Sequence, residues 1–186
     1  MAGMERFTQR ARRVLSLAHQ EAERLRQNSI DTEHLLVGLS LEDGGIAGRV
    51  LRDLGLEPDR IQQMVERISG FGQEVTGKID LTAGVQQVLE FAIEEARRMG
   101  HHYIGTEHLL LGLVRSTEGN APEVLRKLGV TPEQIRRQTR RVLQESSTSP
   151  AGGPAAPAKP AGKGEKEKDK ESKTPLVDQL AVDLTS

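Results

Sequence analysis

Three features of this 186-residue sequence predict an all-α fold, an eight-helix globule with pseudo-two-fold symmetry built from two four-helix repeats and followed by a disordered tail. The first is an internal repeat: residues 7–67 align without a gap onto residues 81–141 at an offset of 74, with 25 of 61 pairs identical. The second is composition, since aromatics make up 2% of the chain and a core of Leu, Val, Ile, Ala and Met favours helices. The third is a helical period in the apolar residues of both copies.

That period is clearest in the first segment. Phe7, Ala11, Val14, Leu15, Ala18, Ala22 and Leu25 fall on one helical stripe, and Leu81, Val85, Val88, Leu89, Ala92, Ala96 and Met99 repeat it. Thr8 and Thr82 stand where a hydroxyl can cap the first turn. The second segment is a cassette, IDTEHLLVGL at 30–39 and IGTEHLLLGL at 104–113. It predicts a short helix with Thr32 or Thr106 as N-cap, Glu33 or Glu107 in the first turn, and inward-facing leucines. A third helix carries Val50, Leu51 and Leu54, or Val124, Leu125 and Leu128, and stops at Gly55 or Gly129, the residue suited to a left-handed C-terminal position. Pro58 and Pro132 open a fourth helix, and Thr131-Pro132-Glu133-Gln134 has the spacing of a capping box.

Between the copies, SGFGQEVTGKID has three glycines and is expected to be a flexible joining loop. The repeats define a domain at 1–145. Residues 146–175 are rich in Pro, Gly, Ala, Lys and Glu without an apolar pattern, which predicts a disordered linker. Residues 176–186, LVDQLAVDLTS in their setting, have a short amphipathic spacing and are expected to begin a further domain.

Charge excludes several functions. The whole chain has 26 basic and 27 acidic side chains, and no half is basic enough to act as a nucleic-acid footprint. No signal-peptide core and no run of about 18 apolar residues occurs, so a cytoplasmic protein without membrane contact is expected. Absence of cysteine removes disulfides, thiolate zinc sites and a cysteine nucleophile. No GxxxxGK[ST] phosphate loop, GxSxG elbow or HExxH motif is present, and neither enzyme activity nor a metal or other cofactor is expected of this chain.

Several motifs have a plain structural reading. His34 and His108 fit a first-turn histidine bonded to nearby backbone, and His101-His102 has no sequence partner at metal-ligand spacing. Arg136, Arg137, Arg140 and Arg141 fit a solvated helix end. The Thr-Glu pairs admit two readings. They can simply start a helix, or a carboxylate beside free helix amides can receive a ligand that is both guanidinium and phosphate, namely a phosphorylated arginine. Two copies would make that receptor bivalent.

The doubled pattern FTxxAxxVLxxAxxEAxR, I(D/G)TEHLLxGL and VLRxLG, over residues 4–145, resembles the Clp N-terminal domain of AAA+ unfoldases, specifically the ClpC branch. KTPLVDQLAVDLTS is similar to the segment that opens the first ATPase module there. The resemblance implies a non-catalytic domain that docks adaptor proteins and phosphoarginine-bearing substrates for a ClpC-type ATPase ring and, indirectly, a ClpP-type protease. It implies phosphoarginine-binding residues Thr32, Glu33, Thr106 and Glu107, with the second site favoured because Asp31 adds negative charge where the other copy has Gly105. The competing readings are a free-standing modulator of the unfoldase and a small DNA-binding regulator.

Overall fold

The computed structural model describes residues 4–73 and 77–148. The chain divides into two compact units, Met1–Arg140 and Arg141–Ser186, and the architecture below is that of the first. After a 3₁₀ turn at Met4–Arg6 come α1 (Gln9–Arg24), β1 (Ser29–Ile30), α2 (Thr32–Leu41), α3 (Ile46–Asp53) and α4 (Pro58–Ser69). The second copy has β2 (Asp80–Leu81), α5 (Ala83–Arg98), α6 (Thr106–Arg115), α7 (Ala121–Lys127) and α8 (Pro132–Thr148). Eight α-helices among the described residues confirm the predicted fold class. α8 continues to Thr148, past the boundary set at 145, and the remainder of the expected linker and the segment 176–186 lie outside the described residues.

Local chemistry explains the ends of these helices. Thr8 Oγ1 accepts from the Ala11 amide at 3.1 Å and Thr82 Oγ1 from the Val85 amide at 3.3 Å, so both first helices have the expected caps. Gly55 and Gly129 adopt φ of 80° and 82°, a conformation that costs glycine little. The Thr131–Gln134 box closes in both directions, at 2.8 and 3.2 Å.

Within each copy the first and second helices make the most extensive pairing, α1 with α2 and α5 with α6. Glycine sets their separation. A Cβ on Gly38 would lie 2.5 Å from the Val14 carbonyl oxygen, and one on Gly112 would lie 2.6 Å from that of Val88. The stripes predicted from sequence supply the core, including fully buried Ala11, Val14, Ala18, Ala22, Leu35, Leu36 and Leu39 in the first copy.

Short strands stitch the two copies together, and the sequence signals neither of them. β1 pairs in parallel with β2, Ile30 opposite Leu81, and the Thr82 amide donates to the Ile30 carbonyl at 3.1 Å. The reciprocal bridge joins Phe7 to Ile104, where the Thr8 amide donates to the Ile104 carbonyl at 3.0 Å. Each cassette therefore enters beside the start of the other copy's first helix. The joining loop is anchored at its near end by Gly72 N–H, which donates to the Leu25 carbonyl at 2.8 Å.

Candidate functional site

The first turns of α2 and α6 bring the Thr-Glu-His triplets to the junction between the copies. Asp31 and Gly105 are the N-cap residues, which moves Thr32 and Thr106 from the expected cap position into the first helical turn. Histidine performs the local capping. His34 Nδ1 accepts from the Asp31 amide and His108 Nδ1 from the Gly105 amide, each at 2.9 Å. Burial favours the neutral form of both imidazoles: it lowers the pKa of His34, and it brings that of His108 down to about 4.

The threonines cap a helix of the opposite copy. Thr32 Oγ1 accepts from the Ala121 amide at 3.0 Å, at the start of α7, and Thr106 Oγ1 accepts from the Ala47 amide at 3.2 Å, at the start of α3. Both side chains are buried. Close approach requires a glycine on each facing loop: a Cβ on Gly45 would fall 2.6 Å from Thr106 Oγ1, and one on Gly119 would collide with Thr32 Oγ1. Each hydroxyl oxygen thus accepts a backbone proton across the junction between the copies.

The glutamates are also buried rather than exposed, at 2% for Glu33 and 5% for Glu107. Removal from water raises both carboxyl pKa values, the largest effect in each case. Around Glu33 the compensation is partial. Glu33 Oε2 accepts from Ser69 Oγ and from Asn120 Nδ2, the latter at 3.1 Å, while nearby Asp31 adds an unfavourable charge. Glu33 Oε1 has no partner among the described residues. Glu107 Oε2 instead accepts from the Tyr103 hydroxyl at 3.4 Å.

Glu107 opens onto a groove of about 780 Å³ whose lining includes Arg10, Arg13, Glu42 and Tyr103. Glu42, itself 6% exposed, accepts from Arg10 at 3.2 Å and Arg13 at 3.1 Å. One carboxylate engages two guanidinium groups and leaves further N–H donors on each, because a guanidinium has five. At the positions shifted by 74, Arg10 and Arg13 become Gly84 and Gln87, and Glu42 becomes Ser116. The ion pair becomes a neutral hydrogen bond, Ser116 Oγ to Gln87 Oε1 at 2.9 Å. Arg10, Arg13, Tyr103, Ser69 and Asn120 were not singled out from sequence. Aligning the copies position by position would have exposed the arginines as differences, whereas Ser69 and Asn120 reach Glu33 only through the tertiary fold.

Folding also brings His101 beside the adjacent cassette residues Glu107 and His108. His101, Glu107 and His108 offer ligand atoms within 4.8 Å of one another. Their hydrogen bonding assigns a different arrangement. Since His108 Nδ1 accepts a backbone proton, its neutral ring carries the proton on Nε2, which donates to His101 Nδ1 at 2.9 Å. Nε2 then lacks the lone pair a metal needs; that hydrogen bond joins the two imidazoles, Glu107 is bonded instead to the Tyr103 hydroxyl, and Tyr103 stacks on His101 at 4.8 Å. Among the described residues no helix is long and apolar enough to cross a membrane.

Comparison with known proteins agrees with this architecture. The family model described as the Clp repeat (R) N-terminal domain matches residues 6–120 and 80–163. The negative regulator of genetic competence ClpC/MecB of Bacillus subtilis is 44% identical over 181 residues, 97% of this chain and 21% of the relative. The ATP-dependent Clp protease ATP-binding subunit ClpC of Staphylococcus aureus (strain USA300) is 39% identical over 180 residues, again 97% of this chain and 20% of the relative. The chain thus spans about a fifth of the length of these relatives. Among solved structures, the N-terminal domain of the chaperone ClpD from Arabidopsis thaliana superposes with a TM-score of 0.64 at 28% identity, covering 77% of this chain and 99% of that one.

Proposed function

Because the chain belongs to the Clp repeat N-terminal domain family, we propose that it is a non-catalytic docking module that presents adaptor proteins and phosphoarginine-marked substrates to a ClpC-type unfoldase. In this reading residues 1–145 form the receptor, 146–175 a tether, and 176–186 the approach to an ATPase module. ClpP-type proteolysis would lie downstream of the ring. The observation that carries the proposal is that a buried carboxylate, Glu107, and two cations held on Glu42, Arg10 and Arg13, line one groove.

The chemistry follows from desolvation. A carboxylate that burial has deprived of water gains strongly from a guanidinium, which supplies charge and two parallel N–H donors. Its raised pKa measures how much compensation is missing. Phosphate on the same arginine would meet Arg10 and Arg13, whose exposed side chains line the groove. Thr32 and Thr106 act beneath this surface by holding the opposite copy's helix starts, and so keep each glutamate in place.

Calorimetric titration with free phosphoarginine tests the reading, with phosphoserine as the control. Combining Glu33→Gln with Glu107→Gln removes both carboxylates at constant shape and should lower affinity at least tenfold while the circular dichroism spectrum stays helical. Undiminished binding by that folded double variant overturns it.

A further inference from the structure

Of the three phenylalanines, Phe7 is buried, Phe91 lies beneath Arg115 at 4.2 Å, and Phe71 is 61% exposed. Phe71 enters no ring stack or cation contact among the described residues. A lone exposed hydrophobic is ordinary on a protein surface. Here, however, the backbone on both sides is built to hold it out. α4 ends at Gly70, whose φ of 70° and ψ of −174° are all but closed to residues with a side chain. Gly72 lies so close to the end of α1 that a Cβ would collide with the Arg26 carbonyl oxygen. Gly72 N–H donates to the Leu25 carbonyl at 2.8 Å and Gln27 Nε2 donates to the Gly70 carbonyl at 3.0 Å, so the turn is tied down before and after Phe71. At the positions shifted by 74 the second copy has Gln144, Glu145 and Ser146, and the chain there is helical, within α8.

Beside this turn stands a cation that the backbone accommodates at a cost. Arg26 follows the end of α1 with a φ of 56°, and among the described residues no other non-glycine residue has a positive φ. The second copy fills the position with Gly100, at a φ of 72°. Arg26 is exposed and forms no ion pair among the described residues. The carboxylates around this helix end are taken: Arg24 holds Glu21 at 2.7 Å and Glu66 at 2.8 Å, and Glu23 faces His19 at 3.6 Å. A glycine at 26 and a polar side chain at 71 would suit the isolated fold better, so packing explains neither residue.

We propose that Phe71 and Arg26 form a docking knob for a partner protein whose leucine-bearing apolar surface is bordered by carboxylates, as on an acidic amphipathic helix. Phe71 supplies the apolar anchor and Arg26 the charge pairing, since buried aromatics and arginines carry much of the binding energy at protein interfaces. Charge decides between occupants. A second copy meeting this face about a two-fold axis would bring one Arg26 toward the other, with no free carboxylate between them. A lipid surface calls for a whole apolar helix face rather than one ring. Nucleic acid could stack a base on Phe71, but 26 basic against 27 acidic side chains provide no field to hold its phosphates. The knob shares no residue with the lining of the Glu107 groove. It gives the adaptor part of the docking reading a surface of its own, and rests on that reading for the existence of a protein partner.

Amide NMR titration of the full chain with two synthetic peptides tests the knob. One is an amphipathic helix with leucine on one face and glutamate on the other, and the second has lysine in place of glutamate. The acidic peptide should shift the amides of residues 25–27 and 70–73 and leave those of 105–108 in place. Its affinity should fall about tenfold in Phe71→Ala and several-fold in Arg26→Gly. Arg26→Gly should also raise the urea midpoint, because glycine takes the left-handed conformation freely, and a purely structural residue would not weaken binding while strengthening the fold. The lysine peptide should bind about tenfold more weakly than the acidic one. Absence of shifts at 70–73, equal binding of the two peptides, or an acidic-peptide response that survives Phe71→Ala overturns the proposal. So does a single-stranded oligothymidylate that shifts residues 70–73 with steep salt dependence while the acidic peptide does not, which makes the surface one for nucleic acid. Neither peptide carries phosphoarginine, so failure of phosphate recognition at Glu107 leaves a positive result standing, whereas shifts confined to 105–108 place the peptide in the groove and remove the knob.

Discussion

α2 and α6 carry the same Thr-Glu-His-Leu-Leu run, and below the surface they use it identically. Each histidine caps its own helix, each threonine caps the opposite copy, and each glycine lets the preceding helix come close. At the surface they part: Glu33 lies under Ser69 and Asn120, whereas Glu107 lies under Tyr103 beside two arginines. Packing at the junction therefore uses the cassette alike in both copies, while the side chains around its glutamate differ. What must be the same for the junction to close has stayed the same, and the positions around it have been free to diverge.

The strongest check of the shared part is at the helix contacts. Gly38→Ala and Gly112→Ala each force a methyl against a backbone carbonyl that has no room to yield, and each should cost about 3 kcal/mol. Urea denaturation should return nearly equal losses. A loss under about 1 kcal/mol at one position only would mean that the copies do not share this geometry.

A smaller effect probes the reciprocal caps. Thr32→Val and Thr106→Val preserve shape and remove the hydroxyl, leaving the Ala121 or Ala47 amide buried without its acceptor. Each should cost about 1–2 kcal/mol, and the cost should again be matched between copies. Were the threonines to cap their own helices instead, replacing them would leave the starts of α3 and α7 as protected from amide hydrogen exchange as before. Loss of protection at α7 in Thr32→Val and at α3 in Thr106→Val is the distinguishing result.

Most of the helical frame was legible in the sequence because its signals are local. Apolar period, proline at the start of α4, and glycine after α3 act within a turn or two of where they stand. The Thr8 and Thr82 caps were legible for the same reason. Thr32 and Thr106 look identical in sequence, yet their partners lie 89 and 59 positions away, so a local rule assigned them to the wrong helix. The paired strands escaped notice because two residues carry no alternating pattern. At the site, the glutamates were legible as a repeated motif, but their burial was not. An acidic residue in a first helical turn is normally solvated, and only the junction between copies takes these out of water.

The last comparison concerns protons, and it separates the copies by degree. Both cassette histidines are held neutral by burial, but only His108 also faces another imidazole, His101, and its pKa falls to about 4. A histidine with a depressed folded-state pKa stabilises the fold above its unfolded value, near 6.5, and that contribution is lost as pH falls toward the folded value. Stability should therefore decline between about pH 6.5 and pH 4. Buried Glu33 and Glu107 oppose the decline, because carboxyls with raised pKa values favour the fold once they are protonated. Comparing variants isolates the histidine. In His108→Gln the side-chain oxygen can still accept from the Gly105 amide, and the wild-type loss between pH 7 and pH 5.5 should shrink by about 1 kcal/mol, discounted for residual solvent access. His34→Gln should change the slope in the same direction and by less. Equal slopes in wild type and His108→Gln would show that the imidazole pair takes up its proton without cost to the fold, and would leave the two copies alike below the surface in this respect too.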